Sequence, residues 1–222
     1  MTAGQVLDYA RTLMGPAGAA LATGHLLTLL NIAQEEVSRE AKLPRKVVQY
    51  TNLTADNQLV LPADARKEAL TEAYAVGLDD GGAVDSSRNI PILDFVTASR
   101  LYPQWTTWES QPWPTFLMYD PAHNPDVPRP APAPSPEHPQ SIRVVYVQRP
   151  APLTGLDSPI FDDKFDGLHT ILAYRVAYLV LRDGAMLQEY ERRMHQLAGQ
   201  ARPPGIVARN ALYAAGALRG SR

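Results

Sequence analysis

The clearest pattern of apolar and polar positions lies in the segment 161–198. From residue 168 to residue 181 apolar side chains recur every three or four positions, and Arg175 is the only charge among them. These apolar residues are Leu168, Ile171, Leu172, Val176, Leu179 and Val180. A helix that is apolar almost all round is buried, so we expect it to lie inside a helical bundle or against a neighbouring chain.

A second amphipathic pattern follows directly after Asp183-Gly184. Its apolar stripe consists of Met186, Leu187, Tyr190, Met194 and Leu197. Because the Asp-Gly pair interrupts the helical spacing, the segment predicts two helices joined by a tight turn. A single helix kinked at Gly184 is the alternative.

Two further helices are predicted near the N-terminus. Residues 6–14 form a short amphipathic pattern, which Gly15-Pro16 ends. Residues 25–41 carry a longer apolar face, and Pro44 follows it closely. We expect these two helices and the C-terminal pair to form one bundle.

The middle of the chain changes to short β-prone runs. Residues 46–64 hold two such runs around Ala55-Asp56-Asn57, which predicts a hairpin. Residues 65–77 consist largely of helix-forming types, but their position between that hairpin and Gly81-Gly82 favours a strand. The run 141–148, SIRVVYVQ, is rich in Ile, Val and Tyr and is the clearest strand of the chain.

The rest of this middle region is rich in proline. Residues 90–105 predict the end of a strand and a short helix, and residues 114–119 predict another strand. Residues 121–139 contain eight prolines, so they exclude a helix or a central strand and predict an extended loop against a neighbour. A ligand of an SH3-type domain is the alternative.

Together these patterns predict an α+β fold, in which a helical bundle built from both termini carries an inserted proline-rich β-subdomain. The predicted boundaries are 1–45 for the N-terminal helices, 46–150 for the β-subdomain, 151–200 for the C-terminal helix pair and 201–222 for a C-terminal tail.

Composition narrows the classes of function. The chain has 222 residues and a formal net charge of −2, so no overall positive field attracts nucleic acid. It has no cysteine, which excludes disulfides and thiolate chemistry. No basic region followed by a long apolar run is present, so we expect neither a signal peptide nor a membrane segment.

The sequence gives no reason to expect an enzyme, a metal site or a cofactor. None of its five histidines lies in an H-E-x-x-H arrangement, and no nucleophile elbow, P-loop or dinucleotide fingerprint is present. Asp166 and His169 could meet on one helix face, but further ligands with suitable spacing are missing. A helix-start carboxylate and a surface histidine explain this pair better.

Three tryptophans, Trp105, Trp108 and Trp113, cluster among prolines. Such a cluster could stack a sugar or a base, but residues 104–120 contain no basic residue. We therefore expect the tryptophans to form core or subunit contacts, in which Trp is enriched. A β-sandwich-type carbohydrate-binding module or a hydrolase built on this region is the alternative.

The order of motifs resembles a phage head-to-tail connector, the adaptor type found below the portal of short-tailed phages. Four segments carry the resemblance. They are LLTLLNIAQEEVSRE (26–40), the Leu61-Pro62-Ala63-Asp64 end of the predicted hairpin, Pro103-Gln104-Trp105 with the strand PTFLMYD (114–120), and VVYVQRPAPL (144–153) leading into the helix pair with its Tyr-Arg-Val-Ala (174–177). The proline insert and the segment after residue 198 depart from the pattern.

This resemblance implies a non-enzymatic virion protein, made in the host cytoplasm and located in the neck or tail of the virion. It implies a homo-oligomeric ring, usually of twelve copies, that binds the portal protein above and a tail or nozzle protein below. DNA would cross its channel only in transit. Under this interpretation the three tryptophans contact a neighbouring subunit or the tail. Another tail-completion protein is the alternative within the virion.

The C-terminal segment has its own charge pattern. Residues 192–222 contain six arginines and no acidic residue, together with more apolar residues than a free tail needs. Connectors that the chain resembles dock on the portal through such an extension. The residues expected to dock are Arg202, Ile206, Arg209, Leu212, Tyr213 and Arg219.

Overall fold

A computed structural model describes residues 1–54, 59–78, 84–109, 113–120, 127–137, 139–160 and 167–201. The helices are α1 Ala3–Met14, α2 Pro16–Ala19, α3 Thr23–Ala41, α4 Phe95–Leu101, α5 Leu168–Leu181 and α6 Gly184–Ala201. The strands are β1 Arg45–Leu53, β2 Ala65–Leu78, β3 Val84–Ile90, β4 Ile92–Leu93, β5 Phe116–Met118, β6 Arg129–Ala131 and β7 Gln140–Gln148. The α+β class predicted from the sequence is confirmed.

The chain divides into two compact units. One contains residues 1–41 and 150–222, and the other contains residues 42–149. We call the first the bundle unit, since it holds α1, α2, α3, α5 and α6, and the second the β unit. No helix within the described ranges is long and apolar enough to cross a membrane.

The first helix of the bundle unit begins at a capping box. The Thr2 backbone N–H donates to Gln5 Oε1 at 3.0 Å, and the Gln5 N–H donates to Thr2 Oγ1 at 3.5 Å. These bonds satisfy donors that a helix start leaves unpaired. The helix ends at Gly15, whose φ of +58° suits glycine. The predicted helix at 6–14 is thus confirmed, with one more turn at its start.

Helix α5 is the buried centre of this unit. Leu168, Ile171, Leu172 and Val176 are all at most 3% exposed, as the apolar pattern predicts. The backbone turns at Arg182, which adopts a left-handed conformation with φ +54°, and the Asp183 carboxylate then accepts from the Ala185 N–H at 2.8 Å. Helix α6 therefore starts anew at Gly184, and the alternative of one kinked helix is wrong.

The β unit contains two sheets. The larger is antiparallel with the order β1-β7-β2-β3, and the smaller has the order β4-β5-β6. Strand β7 lies between β1 and β2, and its side chains alternate between buried and partly exposed, as expected of a half-buried strand. The prediction of strands at 65–77 and 141–148 is confirmed.

Two expectations for the β unit are wrong. The hairpin around Ala55-Asp56-Asn57 does not form, because β1 pairs with β7, and the described residues 59–64 that follow form no strand. The turn itself lies outside the described residues. The proline-rich segment is not only a loop, because Arg129–Ala131 pairs antiparallel with β5. This strand lies at a sheet edge, where proline is tolerated.

Candidate interaction surfaces

The tryptophans at 105 and 108 serve first as internal packing. Both rings meet the fully buried Phe116 edge-to-face, with ring centroids 5.9 Å and 6.0 Å away. Tyr102 stacks on the same Phe116 ring at 5.2 Å. Such aromatic pairs add stability beyond the burial of their area. The structure therefore brings two of the three predicted contact residues into one aromatic cluster.

The exposed sides of Trp105 and Trp108 line a cavity of about 350 Å³. Its other walls come from Leu53 and Leu59 and from the proline-rich residues 127–134. Arg129 is the only ionisable residue among the lining residues that the structure describes. We call this feature the tryptophan cavity. It is mainly apolar, with one positive charge at its wall.

Trp113 occupies a different place from the other two tryptophans. A Cβ built on Gly77 would come 3.1 Å from Trp113 Cη2 and 2.4 Å from Ser86 Oγ, so a side chain at position 77 would displace the Ser86 hydroxyl and crowd the Trp113 ring. Trp113 remains 39% exposed and lines a second cavity of about 280 Å³ with Gln140 and Ser141. The structure does not bring Trp113 into the tryptophan cavity.

Helix α4 presents a second apolar surface that the sequence analysis missed. Phe95, Val96 and Leu101 are 50%, 76% and 54% exposed. The helix starts at Asp94, whose carboxylate accepts from the Thr97 N–H at 2.8 Å and from the Thr97 hydroxyl at 2.9 Å. These bonds hold the pKa of Asp94 below its usual value. The signal was present in the sequence, because three large apolar residues occur in a seven-residue helix.

In the bundle unit, a hydrogen-bonded turn exposes another apolar residue that the sequence analysis missed. Leu156 is 42% exposed, and the neighbouring Asp157 is also exposed. Ser158 Oγ accepts from the N–H groups of Thr154 and Gly155 at 3.2 Å and 3.1 Å. We call residues 154–158 the Leu156 loop. The start of α1 fixes it further, since the Gly4 N–H donates to the Leu156 carbonyl at 2.8 Å.

A polar network joins three helices of the bundle unit. Arg175 Nε, on α5, donates to Glu36 Oε2, on α3, at 2.6 Å. The guanidinium also lies over the rings of Tyr178 and Tyr190, at 5.3 Å and 5.1 Å. The hydrogen bond to Glu36 raises the pKa of Arg175 despite its burial. Arg175, the single charged residue in the apolar pattern of α5, therefore contacts both α3 and α6.

Tyr190 extends this network along α6. Its hydroxyl donates to Glu40 Oε2 at 2.9 Å, and burial together with that bond raises the pKa of the phenol. Further along, Glu189 accepts from Arg192 and Arg193, and these bonds lower the pKa of Glu189 to about 2. The Tyr190–Glu40 hydrogen bond thus connects α6 to α3, whereas the Glu189 ion pairs lie within α6 itself.

The motif segments that carried the resemblance contact one another. Asn31 on α3 donates to the Leu153 carbonyl at 3.1 Å and accepts from the Leu153 N–H at 2.8 Å. The buried Gln34 donates to the Ala151 carbonyl at 2.9 Å. In the β unit, Asp64 accepts from Gln148 Nε2 at 2.6 Å. These residues therefore fix the fold.

Neither the predicted tail contacts nor a metal centre can be built from the described residues. The six portal-docking residues, from Arg202 to Arg219, lie outside the described ranges, as does Asp166 of the Asp166–His169 pair. Within the described part of the chain, no group of three or more metal-ligating side chains is close enough to hold an ion.

Comparison with protein families gives one match. The family model described as SU10 adaptor protein matches residues 1–211 of the chain. No curated protein matches the chain. The family match spans both compact units and the first part of the C-terminal segment.

Proposed function

The chain belongs to the SU10 adaptor protein family, and from this premise we propose that it is a structural component of the virion neck that connects the portal protein to the tail or nozzle. Several copies, twelve in the form expected of connectors, assemble as a ring around a channel that DNA crosses in transit. The observation that carries this proposal is the match over 211 residues, since it includes both compact units.

We propose a separate role for each of the two units. The bundle unit forms the body of each subunit, and its helix α6 leads into the tail that docks on the portal. The β unit supplies contacts to a neighbouring subunit or to the tail protein, with Trp105, Trp108 and Trp113 among its contact residues. The exposed apolar side chains of α4 support an interface on this unit, because large apolar residues at a surface often mark contact sites.

An enzyme or a sugar-binding module is less well supported. A stacking platform needs open aromatic faces, whereas the rings of Trp105 and Trp108 are partly covered by their edge-to-face contacts with Phe116. The described residues also contain no candidate metal cluster. The structural role needs neither feature.

Assembly with the portal protein tests the proposal. The purified chain, alone and mixed with the portal protein of the same phage, would be measured by light scattering after size exclusion and imaged in negative stain. We expect rings in the presence of the portal. A chain that stays monomeric with the portal but binds tail proteins would instead be a different tail-completion protein.

Two variants test the C-terminal tail separately. One ends after Gln200, and the other is full length with Arg202, Arg209, Arg219 and Arg222 replaced by Gln. We expect the truncation to abolish portal binding, and the Gln variant to weaken it and reduce its salt dependence, because exposed charge contacts are screened by salt. Full affinity of the truncated chain would refute the docking role. Full affinity of the Gln variant alone would assign docking to Ile206, Leu212 and Tyr213.

A further inference from the structure

The two units carry surface features of complementary chemistry. The tryptophan cavity of the β unit is lined largely by Trp, Leu, Val and Pro side chains, and Arg129 is the one ionisable residue among its described lining residues. The Leu156 loop of the bundle unit presents an exposed leucine directly followed by an exposed aspartate. Among the described residues, the side chains of Arg129 and Asp157 have no hydrogen-bond or ion-pair partner.

Both features are suited to a contact between rigid surfaces. The loop is fixed by two bonds to Ser158 Oγ and by the backbone of α1. The cavity wall is fixed by the aromatic cluster on Phe116 and by the pairing of β6 with β5. Preorganised surfaces lose little conformational entropy on association. A volume of about 350 Å³ accommodates one apolar side chain and its turn more readily than a helix.

We propose that Leu156 of one copy inserts into the tryptophan cavity of the neighbouring copy and that Asp157 pairs there with Arg129. The occupant is a second copy of this chain, since an exposed aspartate that can pair with Arg129 directly follows the exposed leucine of the same sequence. The contact joins two different surfaces, and such head-to-tail contacts generate rings when the rotation closes. The proposal rests on the proposed function, because it identifies the contact between ring subunits.

The absence of native cysteine makes cross-linking a direct test. Leu156→Cys and Ala133→Cys would be purified as two single-cysteine proteins, since Ala133 is an exposed residue of the cavity wall. The two proteins would be mixed, assembled with the portal protein and oxidised. We expect a disulfide-linked heterodimer from the mixture and little from either protein alone. Thr12→Cys, at an exposed position on α1, mixed with Ala133→Cys is the matched control.

The double variant distinguishes the possible occupants. With both cysteines in one chain, a contact between copies gives a ladder of covalent oligomers, whereas a contact within one chain gives only a cross-linked monomer and overturns the proposal. A cross-link from Ala133→Cys to the portal protein would overturn it as well. Rings without the Leu156–Ala133 cross-link would refute this contact and leave the proposed function intact. A Leu156–Ala133 cross-link in open assemblies that contain no rings would support the contact but refute the proposed ring. The absence of both the cross-link and the rings would refute the contact and the proposed function.

Charge reversal supplies a second, independent measurement. Arg129→Asp and Asp157→Arg each place like charges together, so we expect each to weaken self-association about tenfold. Both side chains are exposed, so the melting temperature should not change. Every copy of the double variant carries both reversals, and we expect association within about twofold of the unmodified chain. A double variant as weak as the single variants would refute the pairing.

Discussion

The Arg175–Glu36 pair in the bundle unit can be tested by a double-mutant cycle. The cycle compares Arg175→Met, Glu36→Gln and the double variant with the unmodified chain. Methionine retains much of the apolar stem of arginine but removes the charge, and glutamine retains an acceptor near Arg175. The bond to be removed is 2.6 Å long, and the two side chains are 16% and 23% exposed.

The expected loss of stability follows from the partial burial of the Arg175–Glu36 pair. Hydrogen bonds to charged groups contribute about 1.5–3 kcal/mol, and breaking a fully buried pair costs about 3–5 kcal/mol. Because water reaches Glu36 only in part, we expect Arg175→Met to lower the free energy of unfolding by about 2–3 kcal/mol. Glu36→Gln should cost only about 1 kcal/mol, because Arg175 keeps its contacts with the rings of Tyr178 and Tyr190.

The double variant separates the pair from its surroundings. Once Glu36 is neutral, the loss of Arg175 no longer leaves an unpaired carboxylate, so we expect a coupling free energy of about 1–2 kcal/mol. Equilibrium urea unfolding followed by far-ultraviolet circular dichroism measures all four proteins, since the bundle unit supplies most of the helix signal.

Arg39→Met is the matched control for the cycle. Arg39 is exposed on α3, and its side chain has no hydrogen-bond or ion-pair partner among the described residues. This variant should unfold within about 0.5 kcal/mol of the unmodified chain. A coupling of zero, or an Arg175→Met variant as stable as Arg39→Met, would show that the contact contributes nothing to stability.

Two further predictions concern α5 and α6. Leu172→Ala should lower the free energy of unfolding by about 2–5 kcal/mol, because the Leu172 side chain is fully buried. Leu179→Ala, at a partly exposed position of the same helix, should lower it clearly less. Equal losses in urea unfolding would contradict this assignment of the buried face. The pKa of Glu189 is lowered from 4.5 to about 2 by Arg192 and Arg193, so its contribution to stability is present above pH 4.5 and lost as the pH falls towards 2. Glu189→Gln should therefore show a smaller loss of melting temperature over that pH interval, and an unchanged pH profile would count against the ion pairs.

The helices were predictable because their determinants are local. The apolar spacing of residues 168–181 already contains the buried face of α5, and Asp183-Gly184 marks its end. The role of Arg175 was not predictable, because its partner Glu36 lies 139 positions away in the sequence. The spacing identified a charge in an apolar helix but did not indicate what neutralises it.

The pairing of the strands was also not predictable from local sequence. The run around Val60 looked like the second half of a hairpin, yet Val60 is 52% exposed while Leu59 and Leu61 are buried without forming a strand. The true partner of β1 is β7, more than ninety positions further along the chain in the register Tyr50↔Ile142. Adjacent β-prone runs indicate strand propensity, but long-range packing selects the pairs.

The candidate surfaces were predictable only in part. The sequence identified Trp105 and Trp108 as a cluster, but the buried Phe116 and the stacked Tyr102 decide which ring faces remain open. The sequence pattern did not indicate a contact surface at the Leu156 loop, since a single leucine in a turn is common. Its exposure becomes informative only when the hydrogen bonds that fix the loop are seen.

The distribution of motifs and surfaces suggests where partner specificity resides. Asn31, Gln34 and Asp64 belong to the motif segments and are used in contacts within the chain. These polar groups are therefore occupied within the chain. The smaller sheet offers little for strand addition either, because β4 has two residues and the edge strand β6 contains Pro130, which has no N–H to donate. A contact at the smaller sheet would therefore use side-chain surfaces, and the proline-rich residues 127–134 form part of such a surface as a wall of the tryptophan cavity.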